Sequence, residues 1–306
     1  MAPVTTAVVT GRHASKPEDV SASTFDLAGR PVHRVGFGAM QLPGPGVMGP
    51  PKDHDAAVAV LRRAVELGVD HIDTAQYYGP LVSNELIREA LHPFSESLVL
   101  VSKVGARRDE AGGWIPTQQP DQLRADIEAN LVTLGADRLG AVNLRLMGEH
   151  ADDTAPPLDD QLGVMARARE DGLIEGIGIS TATLDQVRQA HEGVGLACVQ
   201  NPFSLVDQSD RQVLDYCTEH GIAYVPYFPL GSAFPNMPKV PDQPKVRAVA
   251  TRLGVAPATV GLAWLLAQAP NVLLIPGTSS VAHLEENLSV RSVELSAEDL
   301  IELGAP

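Results

Sequence analysis

Asp73, Tyr78, Lys103 and Arg145 are a carboxylate, a phenol, an ammonium and a guanidinium that lie far apart in the chain yet share one local setting: each stands at or just past the end of a short apolar run. VDHID closes on Asp73, Tyr78 follows in AQYYG, SLVLVSKVG carries Lys103 and LGAVNLRL carries Arg145. A strand buried on both faces holds an unpaired charge in its middle only at a cost of several kcal/mol, so these groups belong at strand mouths. In a parallel β/α fold all the mouths open on one side, and four scattered residues can then converge on one pocket. A phenol titrates at about 10 in water, and an adjacent ammonium favours its ionised form and lowers that value. Such a set is suited to moving a proton.

Apolar runs and amphipathic stretches alternate along the chain as that convergence requires. Helical periodicity spans Asp55–Leu67, Ser83–Leu91, Pro120–Leu134, Leu158–Glu170, Leu184–His191 and Ser209–Glu219, and Gly68, Gly135, Gly172 and Gly221 mark helix ends. Between them lie RVGFG, VDHID, LVLVSK, AVNLRL, IEGIGIS, LACVQN, IAYVPY and NVLLIPG. These eight strand candidates indicate a (β/α)8 TIM barrel, with a doubly wound open sheet as the competitor. No GxGxxG follows the first strand and opens a helix, which disfavours the open dinucleotide-binding sheet. Ahead of the barrel, STFDLAGRPVHRVGFGAM reads as two strands around a turn at Ala28, Gly29 and Arg30, an N-terminal β-hairpin. Residues 1–22, without helical period, read as a flexible extension, and residues 23–306 as a single domain.

With 44% hydrophobic and 20% charged residues among 306, the chain can bury a large core. Its net charge of -15 argues against general affinity for nucleic acid or an anionic membrane, both of which need clustered Lys and Arg, yet allows a local basic patch for a small anionic cofactor. No apolar run approaches the ~18–20 residues of a membrane span, and PVTTAVVT lacks the basic flank and long apolar core of a signal peptide. The expected compartment is the cytoplasm. Cys198 and Cys217 are too few and too isolated for a metal cluster or disulfide framework and read as core thiols; no metal is expected.

The stretches GFGAMQL, HIDTAQYYG, LVSKVG, IGIS, CVQNPFS, YFPLG and IPGTSSVAHLEENL, in this order and spacing, resemble the aldo-keto reductase family over all but the N-terminal extension. GFGAMQLPGPGVMGPP, GARR and VNLRLMG resemble a bacterial branch that includes pyridoxal reductases. The resemblance implies a (β/α)8 barrel that binds NADPH at the C-terminal mouth and reduces aldehydes or ketones. It makes Tyr78 the proton donor to the alkoxide formed by hydride transfer, Lys103 the group that tunes it, and Asp73 the partner that keeps Lys103 charged. Singly, Tyr78 reads as a rim aromatic, Lys103 as a solvated charge and Asp73 as a turn cap. Together, inside matching motifs, they read as chemistry. Tyr78, rather than Tyr77, stands directly before Gly79, as in the family's pattern.

Most of the family carries a histidine near the end of the fourth strand to hydrogen-bond the substrate carbonyl; alignment puts Arg145 there, and His150 falls in the following loop. An arginine stays protonated and offers fixed donors, so it can hold a developing alkoxide or bind a phenolate, carboxylate or phosphate of the substrate. The 3-hydroxyl of pyridoxal fits that description. A structural ion pair with an acidic loop residue such as Glu149 is the plainer alternative.

The resemblance also implies cofactor contacts. The carboxamide pair maps to Ser180, followed by Thr181 where asparagine is usual, and to Gln200; Tyr227 matches the aromatic that stacks on nicotinamide, with Pro229 and Leu230 beside it. The phosphate end falls on Gly277, Thr278, Ser279, Ser280 and His283 before and within a helix, and Glu286 and Asn287 match an adenine-contacting pair. Gly277 and His283 stand where many relatives have lysine and arginine, so NADPH is expected with NADH possible. GARRDEAGGWIPTQQP reads as a long loop with Trp114 as a substrate wall, and the stop at Pro306 leaves no long C-terminal loop, which favours small or planar substrates. The expected reaction is pyridoxal to pyridoxine, with another carbonyl substrate, or a nicotinamide-binding regulatory subunit, as alternatives.

Overall fold

Two-residue and 3.6-residue periodicities alternate along the chain, and the fold places the two kinds of segment in separate layers. A computed structural model describes residues 24–147, 155–231 and 238–304. The extension read over residues 1–22, and Glu149 and His150, lie outside the described residues. The chain begins with β1 (Thr24–Leu27) and β2 (Arg30–His33), paired antiparallel about Ala28 and Gly29, both at positive φ. Seven further strands make one parallel sheet: β3 (Phe37–Gly38), β4 (His71–Asp73), β5 (Val99–Val104), β8 (Leu139–Arg145), β9 (Ile174–Ser180), β10 (Cys198–Gln200) and β11 (Ala223–Tyr224), with β6 (Ala106–Arg108) and β7 (Trp114–Pro116) forming a separate antiparallel pair. Their order is β11-β10-β9-β8-β5-β4-β3. Residues 272–274 join the two edges: Leu274 bridges Val35 beside β3, and Val272 bridges Tyr224 of β11, both parallel. The run NVLLIPG therefore closes the sheet, and the fold is a TIM barrel.

Alternation along each strand decides what faces where. Val99, Val101, Ala141, Cys198, Ala223, Val225 and Leu273 fill the barrel interior at the strand starts, together with Leu27 and Val32 of β1 and β2. Phe37, Ile72, Leu100, Val142, Leu144, Ile177, Ile179 and Val199 face the helices. Space inside is tight: a Cβ on Gly178 would lie 2.2 Å from Asn143 Oδ1.

The helices are α1 (His54–Glu66), α2 (Val82–Leu91), α3 (Pro120–Leu134), α4 (Leu158–Glu170), α5 (Leu184–Val194), α6 (Arg211–Glu219), α7 (Pro244–Leu253), α8 (Pro257–Leu266), α9 (Val281–Leu288) and α10 (Ala297–Leu303). Local chemistry sets their ends. Asp53 accepts from Ala56 N–H at 2.9 Å to cap α1, and Thr183 with Gln186 forms a capping box on α5. α6 begins two residues later than its periodicity suggests, because Asp207 Oδ1 holds Ser209 through its N–H and its hydroxyl in a turn. α8 escapes a periodicity search because Thr259 to Leu265 are all buried, leaving no polar face.

The segment expected as a loop after Lys103 is instead the β6–β7 hairpin, with Ala106 opposite Pro116 and Arg108 opposite Trp114. Asp126 of α3 pins its base, accepting from Arg107 Nε at 3.0 Å and from Thr117 Oγ1 at 3.0 Å. One turn along α3, buried Asn130 accepts from Ser102 Oγ at 2.6 Å and Asn84 Nδ2 at 2.9 Å and donates to Gln76 Oε1. Asn84 in turn accepts from Thr74 Oγ1 at 2.9 Å. These amides tie α2, α3, β5 and the segment that leaves β4 into one buried polar layer.

Replacing Asn130 by alanine strands several of these buried groups without partners, each worth ~1–3 kcal/mol. Asn130→Ala is expected to lower unfolding stability by about 3 kcal/mol in urea titrations; a loss below about 1 kcal/mol would show that the layer is not a structural anchor.

Candidate active site

Register brings the strand-end charges together. Gly38 pairs with Asp73, Lys103 with Asn143 and Arg145 with Ser180 across neighbouring parallel strands, so the three strand-end charges share the C-terminal mouth. Lys103 Nζ forms an ion pair with Asp73 Oδ1, both side chains being almost fully buried, and donates to Thr74 O at 3.1 Å. The other carboxylate oxygen of Asp73 accepts from Gln200 Nε2 at 2.9 Å. Each buried charge thus has an opposite charge and a further hydrogen bond, the condition under which such a pair is tolerated.

Tyr78 lies 8% exposed at this pair, with Lys103 Nζ 5.0 Å from its ring centroid. Its backbone is held on both sides: Tyr78 N–H donates to Ala75 O at 3.0 Å, and Tyr78 O accepts from Ser83 N–H at 3.1 Å. Gly79, at φ 97°, exchanges backbone hydrogen bonds of 3.0 Å with Val47 and Gly49, and a Cβ there would lie 2.4 Å from Val82 Cβ. Only glycine fits that turn. Tyr77 packs edge-on to Tyr78 and to Trp114, and its hydroxyl is buried without a hydrogen-bond partner among the described residues.

The electrostatics of Tyr78 differ from the expectation drawn from its neighbours. Burial pushes its phenol well above the ordinary value, the Asp73 carboxylate adds to the rise, and the cation that opposes it is Arg145. Lys103 lies against the ring and is engaged with Asp73. The phenol is consequently held protonated, loaded with the proton it would donate.

Arg145 closes β8 half-buried, its Cζ 4.4 Å from the Trp114 ring centroid and 5.8 Å from that of Tyr77. Its Nε is buried without a hydrogen-bond partner, and it makes no ion pair among the described residues. Arg108 of β6 lies on the same indole, also at 4.4 Å. In sequence, Arg107 and Arg108 of GARR are two adjacent arginines in a polar stretch and resemble a solvated turn, and only the hairpin separates them.

Of the expected cofactor residues, Ser180 is buried at the end of β9, Gln200 reaches Asp73, and Tyr227 is half-buried with its hydroxyl 3.5 Å from Thr181 Oγ1. Thr181 sits at φ 60°, and Asn201 grips the next residue, accepting from Ala182 N–H at 3.0 Å and donating to Ala182 O at 2.7 Å. Pro229 and Leu230 continue this rim, half-buried. On the adjoining side, Thr278 Oγ1 accepts from Ser280 N–H at 3.1 Å, and Ser280 begins α9 without a side-chain cap, so its hydroxyl and the first amides of α9 are open to an anion. Ser279, His283 and Glu286 are exposed and Asn287 is half-buried. Gly277 has a packing reason to lack a side chain: a Cβ would stand 2.4 Å from Gly38 O. Gln200 joins the first of these groups to the buried Asp73, and Gly277 sets the second against Gly38, which pairs with Asp73.

The Aldo/keto reductase family model matches residues 34–305. The chain is 45% identical over 282 residues to a pyridoxine 4-dehydrogenase of Escherichia coli (strain K12), covering 92% of this chain and 97% of that protein. It is 37% identical over 286 residues to an uncharacterized oxidoreductase of Schizosaccharomyces pombe, covering 93% and 90%. Among solved structures, the thermostable aldo-keto reductase Tm1743 in complex with the inhibitor epalrestat superposes with a TM-score of 0.77 at 28% identity, covering 92% of this chain and 98% of that one. An aldo/keto reductase from Klebsiella pneumoniae in complex with NADP and acetate gives 0.76 at 24% identity, covering 92% and 94%.

The contact between Gly277 and Gly38 is testable by itself. Gly277→Ala should cost about 1–3 kcal/mol of unfolding stability through overpacking against a backbone carbonyl that cannot swing away; an unchanged urea midpoint would refute the close approach.

Proposed function

This chain belongs to the aldo/keto reductase family, and from that premise we propose that it reduces pyridoxal to pyridoxine with NADPH. The observation that carries the reading is the buried Asp73–Lys103 pair beneath Tyr78 with the guanidinium of Arg145 facing the same mouth. The name of the Escherichia coli relative, pyridoxine 4-dehydrogenase, describes the same interconversion in the opposite direction. The family match over residues 34–305 supports treating residues 23–306 as one catalytic domain, with β1 and β2 as the hairpin that fills the barrel's lower end.

NADPH, when bound, supplies the hydride that reduces the carbonyl carbon. Ser180 and Gln200 would hold its carboxamide, Tyr227 would face its nicotinamide ring, and Thr278, Ser279, Ser280 and the amides of α9 would hold its phosphates, with Glu286 and Asn287 toward the adenine. With Gly277 closed against Gly38, the 2'-phosphate is left to hydroxyls, backbone amides and His283. Tyr78 gives its proton to the carbonyl oxygen as charge develops there. An alkoxide is a stronger base than a phenolate, so the transfer runs downhill even from a phenol that burial holds above its usual value. Arg145 stabilises the developing oxyanion or the ring oxygen beside it by charge-assisted hydrogen bonds, a role that needs no proton transfer from the guanidinium. Lys103 and Asp73 hold a fixed, mutually compensating ion pair under the ring.

NADPH oxidation followed by absorbance, with pyridoxal beside a panel of other aldehydes and ketones, tests the reading; selective turnover of pyridoxal supports it, and turnover confined to other carbonyls removes the substrate assignment. Tyr78→Phe should lower kcat by about 10²–10⁴-fold, with NADPH affinity by fluorescence titration close to wild type, whereas retained turnover would rule out the acid role. Arg145→His should lower the preference for pyridoxal over an aldehyde without a ring hydroxyl. An unchanged preference would take the ring oxygen away from Arg145.

A further inference from the structure

The β6–β7 hairpin carries two consecutive arginines to opposite fates. Arg107 turns back to α3 and is bound through Nε and one terminal nitrogen to Asp126, the residue that also holds Thr117 at the hairpin's other leg. Thr117 N–H closes the base on Gly105 O at 3.1 Å. The next residue, Arg108, lies over the indole of Trp114, directly across the strand pair. Its hydrogen bonds go to backbone carbonyls, Gly112 O at 2.9 Å from Nε and Gly46 O at 3.3 Å from a terminal nitrogen. Among the described residues no carboxylate is within ion-pair distance of it. The hairpin is thus a fixed arm rather than a mobile flap, and what it holds over the site is a guanidinium.

Trp114 is shared. Arg108 and Arg145 each stand 4.4 Å from its ring centroid, and the same indole meets Tyr77 edge-on beside Tyr78. Two guanidiniums on one indole repel each other, and the repulsion shows: burial first and the Arg145 charge second both depress Arg108, with only Asp109 opposing. One carboxylate oxygen of Asp109 is already bound to Gly113 N–H at 2.6 Å in the hairpin turn. Each guanidinium rests on an aromatic face with no carboxylate in ion-pair distance among the described residues, so an anionic group is the partner that each lacks, and the aromatic faces beside them suit a planar ring.

We propose that Arg108 is a substrate-selecting residue: with Arg145 and Trp114 it forms a basic aromatic subsite for carbonyl compounds whose planar ring carries an anionic group. The proposal rests on the reading of Tyr78 and Arg145 as the reduction site and deepens it by naming a charge class and a second cation. Both a ring oxyanion and a phosphate ester offer that chemistry.

The test compares wild type, Arg108→Gln and Arg108→Lys with pyridoxal, pyridoxal 5'-phosphate and neutral 4-methoxybenzaldehyde. For Arg108→Gln the ratio of kcat/KM for the anionic to the neutral substrate should fall about tenfold or more, chiefly through KM. Arg108→Lys should recover part of the loss. A fall with pyridoxal alone assigns the subsite to the ring oxygen, and a fall with pyridoxal 5'-phosphate alone assigns it to phosphate. Equal ratios in all three proteins overturn the proposal. Binding of pyridoxine and pyridoxine 5'-phosphate, which have no carbonyl to reduce, followed by tryptophan fluorescence, separates the two failures. If the wild type turned over no carbonyl, weaker binding to Arg108→Gln would sustain the subsite while the reductase reading fell, and unchanged binding would remove the subsite.

Discussion

A carboxylate and an ammonium buried together at the top of a barrel constrain everything around them. Asp73 and Lys103 cannot be taken out of water separately without a penalty of several kcal/mol each, so their strands must bring them to one level and their remaining donors and acceptors must be used. The β4–β5 register sets Asp73 opposite Val101, one inward-facing position before Lys103 and within reach of its long side chain, and Gln200 Nε2 and Thr74 O use the remaining groups. Gln200 comes from β10, on the far side of β8 and β9, so Asp73 is bonded across the barrel mouth rather than only to its neighbour. At Tyr78, burial and the charges of Asp73 and Tyr227 raise the phenol, and Arg145 opposes them. A phenol there stays protonated, and a guanidinium at the end of β8 becomes the cation that acts on it.

The second constraint is the polar layer on α3. Asn130 and Asp126, one turn apart, hold two segments that carry chemistry: Asn130 the stretch leading to Tyr78 through Gln76, and Asp126 the hairpin through Arg107 and Thr117. A single helix therefore sets the separation between the phenol and the Arg108–Trp114 wall. Short loops with few contacts would leave that distance to fluctuate; here both are referred to one rigid element.

Much of this was legible in the residues because burial and charge are in conflict at a strand end, and the conflict shows in one dimension. VDHID, LVLVSK and AVNLRL each signalled a buried strand with a charge at its mouth, and the observed strands carry Asp73, Lys103 and Arg145 there. What escaped was of two kinds. α8 has no polar face, so helical period left no trace in it, and the three-residue strands of the hairpin are too short to show an alternation. The partner of an amide is not written in its neighbours either: nothing near Gln200 points to Asp73, 127 residues away, and nothing near Asn130 points to Gln76. The Lys103–Asp73 pair was read from the sequence, whereas Arg145 as the cation that opposes the rise at Tyr78 was a matter of geometry.

Gly277 shows how packing can decide a departure that sequence alone presents as a lost contact. Read along the chain, a glycine where relatives have a lysine is a missing cation. In the fold it is the point where the segment after the closing strand run passes against β3, with Gly277 against the carbonyl of Gly38 and Gly38 against that of Ile275. Two glycines face each other there, and a side chain on either would push the closing segment away from the strand that pairs with Asp73. That contact adds to the bridges of Leu274 to Val35 and of Val272 to Tyr224 that close the barrel. Beyond it, Ser280 begins α9 without a side-chain cap, so the first amides of that helix stay open at a place where groups can be added without disturbing the buried pair.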